Sequence, residues 1–247
     1  MILRMISIIV PSANSTWFAP AAGGAGSSKG DELLNRWRKI SDAVVRRLPL
    51  YLRVLEEVSA SEERRLMSSQ ELGERAGVSP ALVRKDFAWF GEFGKQGVGY
   101  EVGFLKDELR RILNLDREIA VGLVGAGSLG YALARYNQAR ATTDSSFNIR
   151  IRAVFDNDPE KIGKPIGDLI VLPIDEFAAQ KEKLNLRMAI VTVPARSAQQ
   201  VVDDIVRTGI RAILNFAPIK VHVPEGVHLA TADLTLELQR LAYYLDS

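Results

Sequence analysis

The stretch VGLVGAGSLGYALARY, residues 121–136, restricts the fold more than any other part of this 247-residue chain. Its glycines follow the pattern G-x-G-x-x-G between an apolar run and a helical pattern. In such a turn the first glycine permits a sharp bend, the second lets a pyrophosphate approach the backbone, and the third lets the helix pack against the strand. The N-terminus of the following helix favours the phosphate charge. The stretch therefore predicts a Rossmann domain that binds a dinucleotide.

Residues 116–232 show the pattern of a doubly wound, parallel α/β domain. Buried strands are predicted for four apolar runs, with helical stretches between most of them: 119–124, 149–155, 188–193 and 212–216. The second run leads into Asp156. An acid there accepts hydrogen bonds from a ribose diol and repels a 2′-phosphate, which favours NADH and NAD+ over their 2′-phosphorylated forms. A plainer interpretation stays open, in which the glycines only pack and Asp156 only caps the segment after it.

The composition limits the chemistry that this chain can perform. It contains no cysteine, which excludes disulfides, thiolate metal sites and cysteine nucleophiles. Its two histidines both lie in KVHVPEGVHLAT, a predicted strand-and-turn region, so a histidine metal cluster is not expected. A dehydrogenase also needs a region that holds its substrate and a proton donor near the nicotinamide, and the sequence shows neither. We therefore predict that the protein is not an enzyme and has neither catalytic residues nor a metal.

Residues 39–115 predict a winged helix-turn-helix domain ahead of the Rossmann domain. The first helix is indicated by apolar residues at spacings of three and four, the stripe of a helix packed on one side. This stripe consists of Val45, Leu48, Leu52 and Leu55. Because Pro49 lies within it, we expect a bend or a new helix start there.

Two short helices follow, with predicted N-caps at Ser68 and Ser79 and a turn at Gly77 between them. The second of them, in SPALVRKDFAWF, is the predicted recognition helix. The inner face of this helix holds Val83, Phe87 and Phe90. The glycine-rich stretch GEFGKQGVGY after it predicts a hairpin, which adds the wing to the motif.

Arg84 and Lys85 lie off the inner face of the recognition helix, where they can reach phosphates or guanine edges. The net charge of the whole chain argues neither for nor against DNA binding, because Lys and Arg exceed Asp and Glu by only 32 − 30 = 2. DNA binding must therefore rest on local placement, and a solvated basic pair is the alternative. The candidates for DNA contacts are Arg46, Arg47, Ser79, Arg84, Lys85, Lys95 and Gln96.

Six separated stretches resemble the Rex family of redox-sensing transcriptional repressors, in the family's order: RRLPLYLRVL, LVRKDFAWFGEFGKQGVGY, LVGAGSLG, FDNDPEKIG, TVPA and ILNFAP. The resemblance covers residues 42–245. It implies a cytoplasmic homodimer whose last helix, within residues 233–247, is exchanged between the two chains. Such repressors bind a palindromic operator when NADH is scarce, and NADH swings the two DNA-binding heads out of register. The resemblance implies no membrane partner.

The resemblance also implies roles for individual residues. The set that binds NADH or NAD+ is Gly125, Ala126, Gly127, Ser128, Leu129, Gly130, Tyr136, Asp156, Lys161, Thr192, Val193, Pro194, Asn215, Phe216, Ala217 and Pro218. Within it the glycine loop would hold the pyrophosphate, Asp156 the adenosine ribose, and the last four residues the nicotinamide. Tyr136 matches a tyrosine that helps to distinguish the ligand states. Arg53 and Asp233 match an interdomain pair that forms in one state only, the alternative being a surface ion pair of little energy.

Three features depart from the family pattern. Gln96 stands at the wing tip, where a basic residue is common, so the wing would make one phosphate contact fewer. Ala88 and Trp89 replace a more usual Ser-Tyr pair, which puts fine operator preference in doubt. Residues 1–38 have no counterpart and are predicted to be a disordered extension, with an apolar stretch too short to span a membrane. A cleaved signal peptide is the alternative for this segment.

Two other classes of protein share parts of this pattern. The first is a small NAD-dependent oxidoreductase with an added DNA-binding head, and a proton donor in the cofactor cleft would favour it. The second is a nucleotide-binding protein of the coenzyme A type, which uses the same turn for adenine and phosphate. Asp156 and the separate winged head argue against this second class.

Overall fold

A computed structural model of the chain describes residues 40–61, 65–91, 93–95 and 97–245. The predicted extension, residues 1–38, lies outside them. The described residues form a small helical head followed by an α/β domain. None of the described helices combines the length and the apolar character that crossing a membrane requires.

The head confirms the predicted winged helix-turn-helix. Its helices are α1 (Asp42–Ser61), α2 (Ser69–Ala76), α3 (Pro80–Phe87) and α4 (Val102–Ile112). Three short antiparallel strands, in the order β1-β3-β2, form the wing: β1 (Leu66–Met67), β2 (Gly94–Lys95) and β3 (Gly99–Glu101). The helices α2 and α3 pack on α1 around one apolar core, so the recognition helix α3 is held by the other elements of the head.

The predicted caps of α2 and α3 are all present. Ser68 accepts a hydrogen bond from the backbone N–H of Glu71, and Ser79 accepts one from Leu82. Gly77 ends α2 in the left-handed conformation, with φ at +71°, which glycine adopts without a steric penalty. These local signals are short-range, which explains why the sequence alone revealed them.

Two details of α1 differ from the expectation. No new helix starts at Pro49, because one helix runs from Asp42 to Ser61 through this exposed proline, and a bend there stays a prediction. Proline has no N–H to donate to the carbonyl of Val45, four residues earlier, and on this exposed side of the helix water can bind that carbonyl instead. Val45 is 43% exposed and does not belong to the buried stripe, which starts one residue earlier, at Val44.

The α/β domain is a seven-stranded sheet in the order β10-β9-β8-β4-β5-β7-β6. All neighbouring strands are parallel except β6 and β7. The four predicted strands are confirmed as β4 (Ile119–Val124), β5 (Ile149–Asp156), β8 (Met188–Val191) and β9 (Ala212–Asn215). Three further strands lie towards the two sheet edges: β6 (Pro165–Ile166), β7 (Leu169–Pro173) and β10 (His228–Thr231), of which only β10 falls in a segment predicted to hold a strand. β6 has only two residues and β10 is largely exposed, so no apolar run marks either strand, whereas β7 is a continuous apolar run, LIVLP, that the four predicted strands did not include.

Helices cover both faces of this sheet and bury a core on each side. They are α5 (Ser128–Thr143), α6 (Phe177–Leu184), which follows a short 3₁₀ turn, and α7 (Ala195–Arg207). The last helix, α8 (Leu234–Ala242), differs from them because none of its residues is buried. Leu234, Leu238 and Leu241, on its predicted apolar face, are 66%, 67% and 53% exposed.

Polar contacts join the head to the α/β domain at Leu115. Arg110 near the end of α4 donates hydrogen bonds to Glu56 on α1, at 2.7 Å, and to the carbonyl of Leu115, at 2.9 Å. The same guanidinium donates to the carbonyl of Ser146, in the loop before β5. Asn148 donates to the Leu115 carbonyl from the same loop, at 2.7 Å. One arginine therefore bridges α1, the junction and the second domain.

Candidate functional site

The three glycines of the loop after β4 have different structural roles. Gly125 has φ at +104°, and a Cβ there would lie 2.7 Å from the carbonyl oxygen of Thr192. A Cβ at Gly130 would overlap the carbonyl oxygen of Gly125. At Gly127, in contrast, a Cβ would meet no protein atom within 4 Å. Protein packing therefore demands glycine at the first and third positions, whereas glycine at the second keeps the outer side of the loop clear for a pyrophosphate.

The loop lies at the point where the strand order of the sheet reverses. β4 has β5 on one side and β8 on the other, and dinucleotides bind at such a switch point, outside the carboxyl ends of the strands. The backbone N–H of Thr192, after β8, donates to the Val124 carbonyl at 2.8 Å. Its hydroxyl donates to the Gly125 carbonyl, also at 2.8 Å. The Thr192 side chain, predicted to line the cofactor, thus also fixes the shape of the glycine loop.

Asp156, at the end of β5, contacts the glycine loop directly. One carboxylate oxygen accepts the backbone N–H of Ala126 at 2.7 Å and lies 3.2 Å from Nζ of Lys161. The other oxygen accepts the N–H of Asp158 at 2.9 Å. Burial acts to raise the pKa of Asp156, but the hydrogen bonds from Asp158, Ala126 and Lys161 and the Lys161 charge outweigh it and lower this pKa. The acid is therefore a carboxylate at neutral pH, as recognition of a ribose diol requires.

Lys161 responds to the same contact. Partial burial acts to lower its pKa, but hydrogen bonds and charges from Asp156 and Asp158 raise it overall. The ammonium group remains charged and holds the Asp156 carboxylate beside the loop. The sequence alone placed Lys161 near the adenosine end, and the structure adds that it is an ion-pair partner of Asp156.

The residues after β9 form a tight turn that Asn215 closes. The Asn215 side chain is fully buried, accepts the N–H of Ala217 at 3.0 Å and donates to the carbonyl of Ala217 at 3.1 Å. Its amide is therefore used by the protein. Phe216 is half-buried and Pro218 is exposed, so these two side chains remain the ones able to contact a ligand there.

Most of the predicted cofactor set is brought to one edge of the sheet. The glycine loop, Asp156, Thr192 and Asn215 follow four adjacent parallel strands, whose carboxyl ends meet at that edge. Val193 is half-buried, and Pro194 is exposed at the start of α7. Ser128 and Leu129 are exposed in the first turn of α5.

Tyr136 differs from the rest of the cofactor set. It lies on α5, eight residues beyond the start of the helix, which corresponds to ~12 Å along the helix axis. Its side chain is 60% exposed. A single chain therefore does not bring Tyr136 into the cradle, and its role in distinguishing ligand states stays a prediction.

The head presents the predicted basic pair on its surface. Arg84 and Lys85 are both exposed on α3, and Arg84 donates a hydrogen bond to the hydroxyl of Ser69 at 2.8 Å. Ser79 is exposed at the N-cap of the same helix. Arg46 is exposed and pairs with Asp42, four residues earlier. Two candidates in the wing, the Lys95 side chain and Gln96, lie outside the described residues.

Arg47, predicted to contact DNA, is engaged in a hydrogen-bond network inside the head. Its guanidinium donates two hydrogen bonds to the carboxylate of Asp86, at 2.6 and 2.7 Å, and the hydroxyl of Tyr51 donates a third at 2.7 Å. Sequence reasoning missed this network, although one signal was available. Asp86 stands three residues after Val83 and therefore on the inner face of the recognition helix, where an acid needs a partner.

The predicted interdomain pair is separate in the single chain. Arg53 is exposed on α1, and Asp233 caps α8 by accepting the N–H of Thr235 at 2.9 Å. Within the described part of the chain no hydrogen bond or ion pair joins the two side chains. The pairing of Arg53 with Asp233 therefore stays a prediction.

Comparison with known proteins supports both halves of the chain. A family model described as "Putative DNA-binding protein N-terminus" matches residues 39–88, and one described as "CoA binding domain" matches residues 116–219. A redox-sensing transcriptional repressor Rex from Brevibacillus brevis is 46% identical over 84% of this chain and 97% of its own length. The Rex repressor from Chloroflexus aurantiacus is 47% identical over 83% and 93%.

Solved structures of a Rex-family repressor are also similar to this chain. A crystal structure of RSP in complex with β-NAD+ and operator DNA is 36% identical, with a TM-score of 0.76, and covers 84% of this chain and 93% of its own. RSP in complex with β-NADH is 34% identical, with a TM-score of 0.72, and covers 84% and 95%. A third crystal structure, of RSP as a Rex-family repressor, has a TM-score of 0.73, at 35% identity, over 84% and 95% of the two chains.

Proposed function

Because this chain belongs to the Rex family of redox-sensing transcriptional repressors, we propose that it binds operator DNA and releases it when NADH binds. One observation carries the proposal: a winged head and a dinucleotide cradle occupy a single chain, and each has its recognition surface exposed. The head supplies Arg84 and Lys85 for DNA. The cradle supplies the open side of Gly127 and the carboxylate of Asp156 for NADH or NAD+.

The cradle residues fit a dinucleotide in a specific way. The backbone N–H groups of the glycine loop and the N-terminus of α5 would hold the pyrophosphate. The Asp156 carboxylate would accept hydrogen bonds from the adenosine ribose, sharing its oxygens with the N–H of Ala126. The bound dinucleotide contributes its redox state as a signal, and the protein's residues translate this signal into a preference between arrangements of the two domains.

We also propose that the chain does not catalyse a reaction. The polar side chains after the central strands are already engaged, because Thr192 binds the loop, Asp156 is ion-paired and Asn215 is buried in its turn. None of the three is positioned as a general acid for hydride transfer. The relatives named above are repressors, which agrees with this proposal.

A homodimer accounts for the exposed face of α8. A row of leucines more than half exposed is unusual for a helix surrounded by water, and burial against a second copy would remove these side chains from water. We propose that each chain consists of a head, residues 39–115, a dinucleotide-binding domain, residues 116–232, and a C-terminal segment, residues 233–247. The helix α8 in this last segment is exchanged between the two chains of the dimer. Two heads at a fixed spacing read a palindromic operator, and a rotation of one head changes that spacing. The protein would act in the cytoplasm, where its operator lies.

The test is binding of the purified protein to a palindromic duplex selected by this protein from a random library. At fixed salt the complex is titrated with NADH and, separately, with NAD+. We expect NADH to release the duplex at concentrations at which NAD+ has little effect. Equal effects of the two ligands, or none, would contradict redox sensing. Failure to enrich any duplex would contradict operator binding.

Coenzyme A is the control ligand for this experiment, because the second domain matches a coenzyme A-binding model. Coenzyme A carries a phosphate on its ribose, which the carboxylate of Asp156 would repel. We therefore expect it neither to bind in the cradle nor to release the DNA. Release by coenzyme A, but not by NADH, would favour the nucleotide-binding class that uses the same turn.

A further inference from the structure

A buried ion pair joins the recognition helix to the first helix of the head. The Asp86 side chain on α3 is 1% exposed, and the Arg47 side chain on α1 is 22% exposed. The guanidinium binds both carboxylate oxygens, and the hydroxyl of Tyr51, one turn further along α1, donates to one of them. Asp86 therefore receives three hydrogen bonds from α1.

These contacts lie next to the residues that face DNA. Asp86 directly follows Lys85, and the following residue, Phe87, packs edge-to-face on Tyr51 with 5.2 Å between ring centroids. Apolar contacts alone allow a short helix to rotate or slide slightly, since they have little directional preference. A two-pronged arginine–carboxylate contact has a fixed geometry and does not allow this. The buried Val83 and Phe87 decide which face of α3 points inward, and the ion pair adds a directional contact that restricts small rotations about the helix axis.

We propose that Arg47 and Asp86 are positioning residues for operator recognition, and that Arg47 contributes through Asp86 and not as a phosphate contact. This inference rests on the proposed function, because it needs an operator for α3 to read. Its physical basis is that a buried ion pair adds little net stability compared with apolar residues of similar volume. What it adds is a defined orientation of Arg84 and Lys85. The hydrogen bond from Arg84 to Ser69 holds the other side of α3.

The test compares Arg47→Lys with Arg111→Lys. Arg47→Lys keeps the positive charge but loses the two-pronged contact, whereas Arg111 is 45% exposed, pairs with Glu108 on α4 and is not a candidate DNA contact, so Arg111→Lys should bind both duplexes like the wild type. Binding to the duplex selected by the wild type, and to a scrambled duplex, is measured over a range of salt concentrations. NADH binding is measured on the same samples, because it reports on the second domain.

We expect Arg47→Lys to weaken binding to the selected duplex by about tenfold or more, the effect of misplacing a base contact. Binding to the scrambled duplex, the salt dependence and NADH binding should stay as in the wild type. If Arg47 instead binds a phosphate, Arg47→Lys will bind both duplexes almost normally. Arg47→Met will then lower the slope of log affinity against log salt by about 0.9 for each phosphate that it no longer neutralises, on both duplexes. That result would overturn the proposal.

A double variant, Arg47→Met with Asp86→Leu, guards against simple unfolding. It removes both charges, so no unpaired charge stays buried, and we expect it to fold. Like Arg47→Lys, it should bind the selected duplex more weakly than the wild type does, so that it distinguishes the two duplexes poorly, while its NADH binding is normal. Wild-type discrimination in the double variant would show that the ion pair is dispensable and would overturn the inference alone. A wild type that binds neither a selected duplex nor NADH would instead overturn the proposed function.

Discussion

Two alanine substitutions in the glycine loop, Gly127→Ala and Gly130→Ala, separate ligand binding from folding. At Gly127 a Cβ has no protein neighbour within 4 Å, and φ is −75°, a value that any residue adopts. Gly127 is also the N-cap of α5, where alanine is less favourable than glycine. Alanine restricts the unfolded chain as well, and these two effects, each of about 0.5–1 kcal/mol, have opposite signs. The free energy of unfolding should therefore stay within about 1 kcal/mol of the wild type.

Gly130→Ala has a different consequence, because its Cβ would overlap the carbonyl oxygen of Gly125 and lie 2.9 Å from Oγ1 of Thr192. The first of these atoms is backbone in a buried loop and cannot move without displacing α5 from β4. Such overpacking costs about 1–3 kcal/mol of stability. We expect Gly130→Ala to lose this amount in urea denaturation and to bind NADH poorly because the loop is displaced.

The decisive assay is NADH affinity, followed by the fluorescence of the bound nicotinamide, alongside urea denaturation of each variant. Gly127→Ala should bind NADH about tenfold more weakly or worse, which is about 1.4 kcal/mol, because its methyl group stands where the pyrophosphate approaches. Gly226→Ala is the control: its φ of +81° costs stability, but it lies outside the glycine loop and should leave NADH affinity unchanged. Normal NADH affinity in Gly127→Ala, or a stability loss as large as that of Gly130→Ala, would refute the reasoning.

Three further predictions concern the stability and assembly of the protein. Because the folded-state pKa of Asp156 lies below its ordinary value of 3.8, the stability that its ionised form contributes is present above about pH 4 and is lost as pH falls through the folded-state pKa. The difference in free energy of unfolding between the wild type and Asp156→Asn should therefore be constant from pH 6 to 8 and shrink below about pH 4. A difference that grows on acidification would show that hydrogen bonding does not stabilise the carboxylate. Arg110→Met should destabilise the chain by about 1–3 kcal/mol in thermal denaturation, since it removes one ion pair and two carbonyl contacts at the junction. Arg111→Met is the control and should cost under about 1 kcal/mol, because the Arg111 side chain is 45% exposed, against 15% for Arg110, and its ion pair is with Glu108 on the same helix. Leu238→Glu should shift the protein from dimer to monomer in light scattering, and a variant that stays dimeric would exclude α8 from the interface.

The features that the sequence predicted correctly all depend on neighbours along the chain. The caps at Ser68 and Ser79, the turn at Gly77 and the glycine loop are patterns that a few consecutive residues define. The four inner strands were predicted because strands covered on both faces are continuously apolar. The strand β7, second from the sheet edge, is also continuously apolar, LIVLP, and was overlooked, whereas the two edge strands are short or largely exposed and carry no such signal.

The candidate site was predicted as a set of residues but not as a set of contacts. The sequence identified Asp156 and Lys161, but not that the carboxylate binds the N–H of Ala126. It assigned Thr192 and Asn215 to the cofactor, which stays a prediction, but it did not show that their side chains also close turns of the protein. Each of these contacts joins residues on different strands or loops, and the direction of a side chain there depends on packing that no local pattern encodes.

Arg47 is the clearest example of a residue whose role could not be predicted from the sequence. In the chain it is one of two adjacent arginines near a DNA-binding motif, and nothing nearby distinguishes Arg46 from Arg47. The fold separates them, because a step of one residue turns the side chain by about 100° around the helix. Arg46 points to solvent, and Arg47 meets Asp86, 39 residues away.

The two domains, their order, the dinucleotide turn and the family all follow from the amino-acid sequence, because they depend on periodicity and short motifs. The packed fold was needed to show which charged residues are free to bind a partner and which hold the protein together. The physical reason is that burial and pairing of a charge depend on residues far apart in sequence. A buried charge must find its partner, whereas an exposed one can remain solvated.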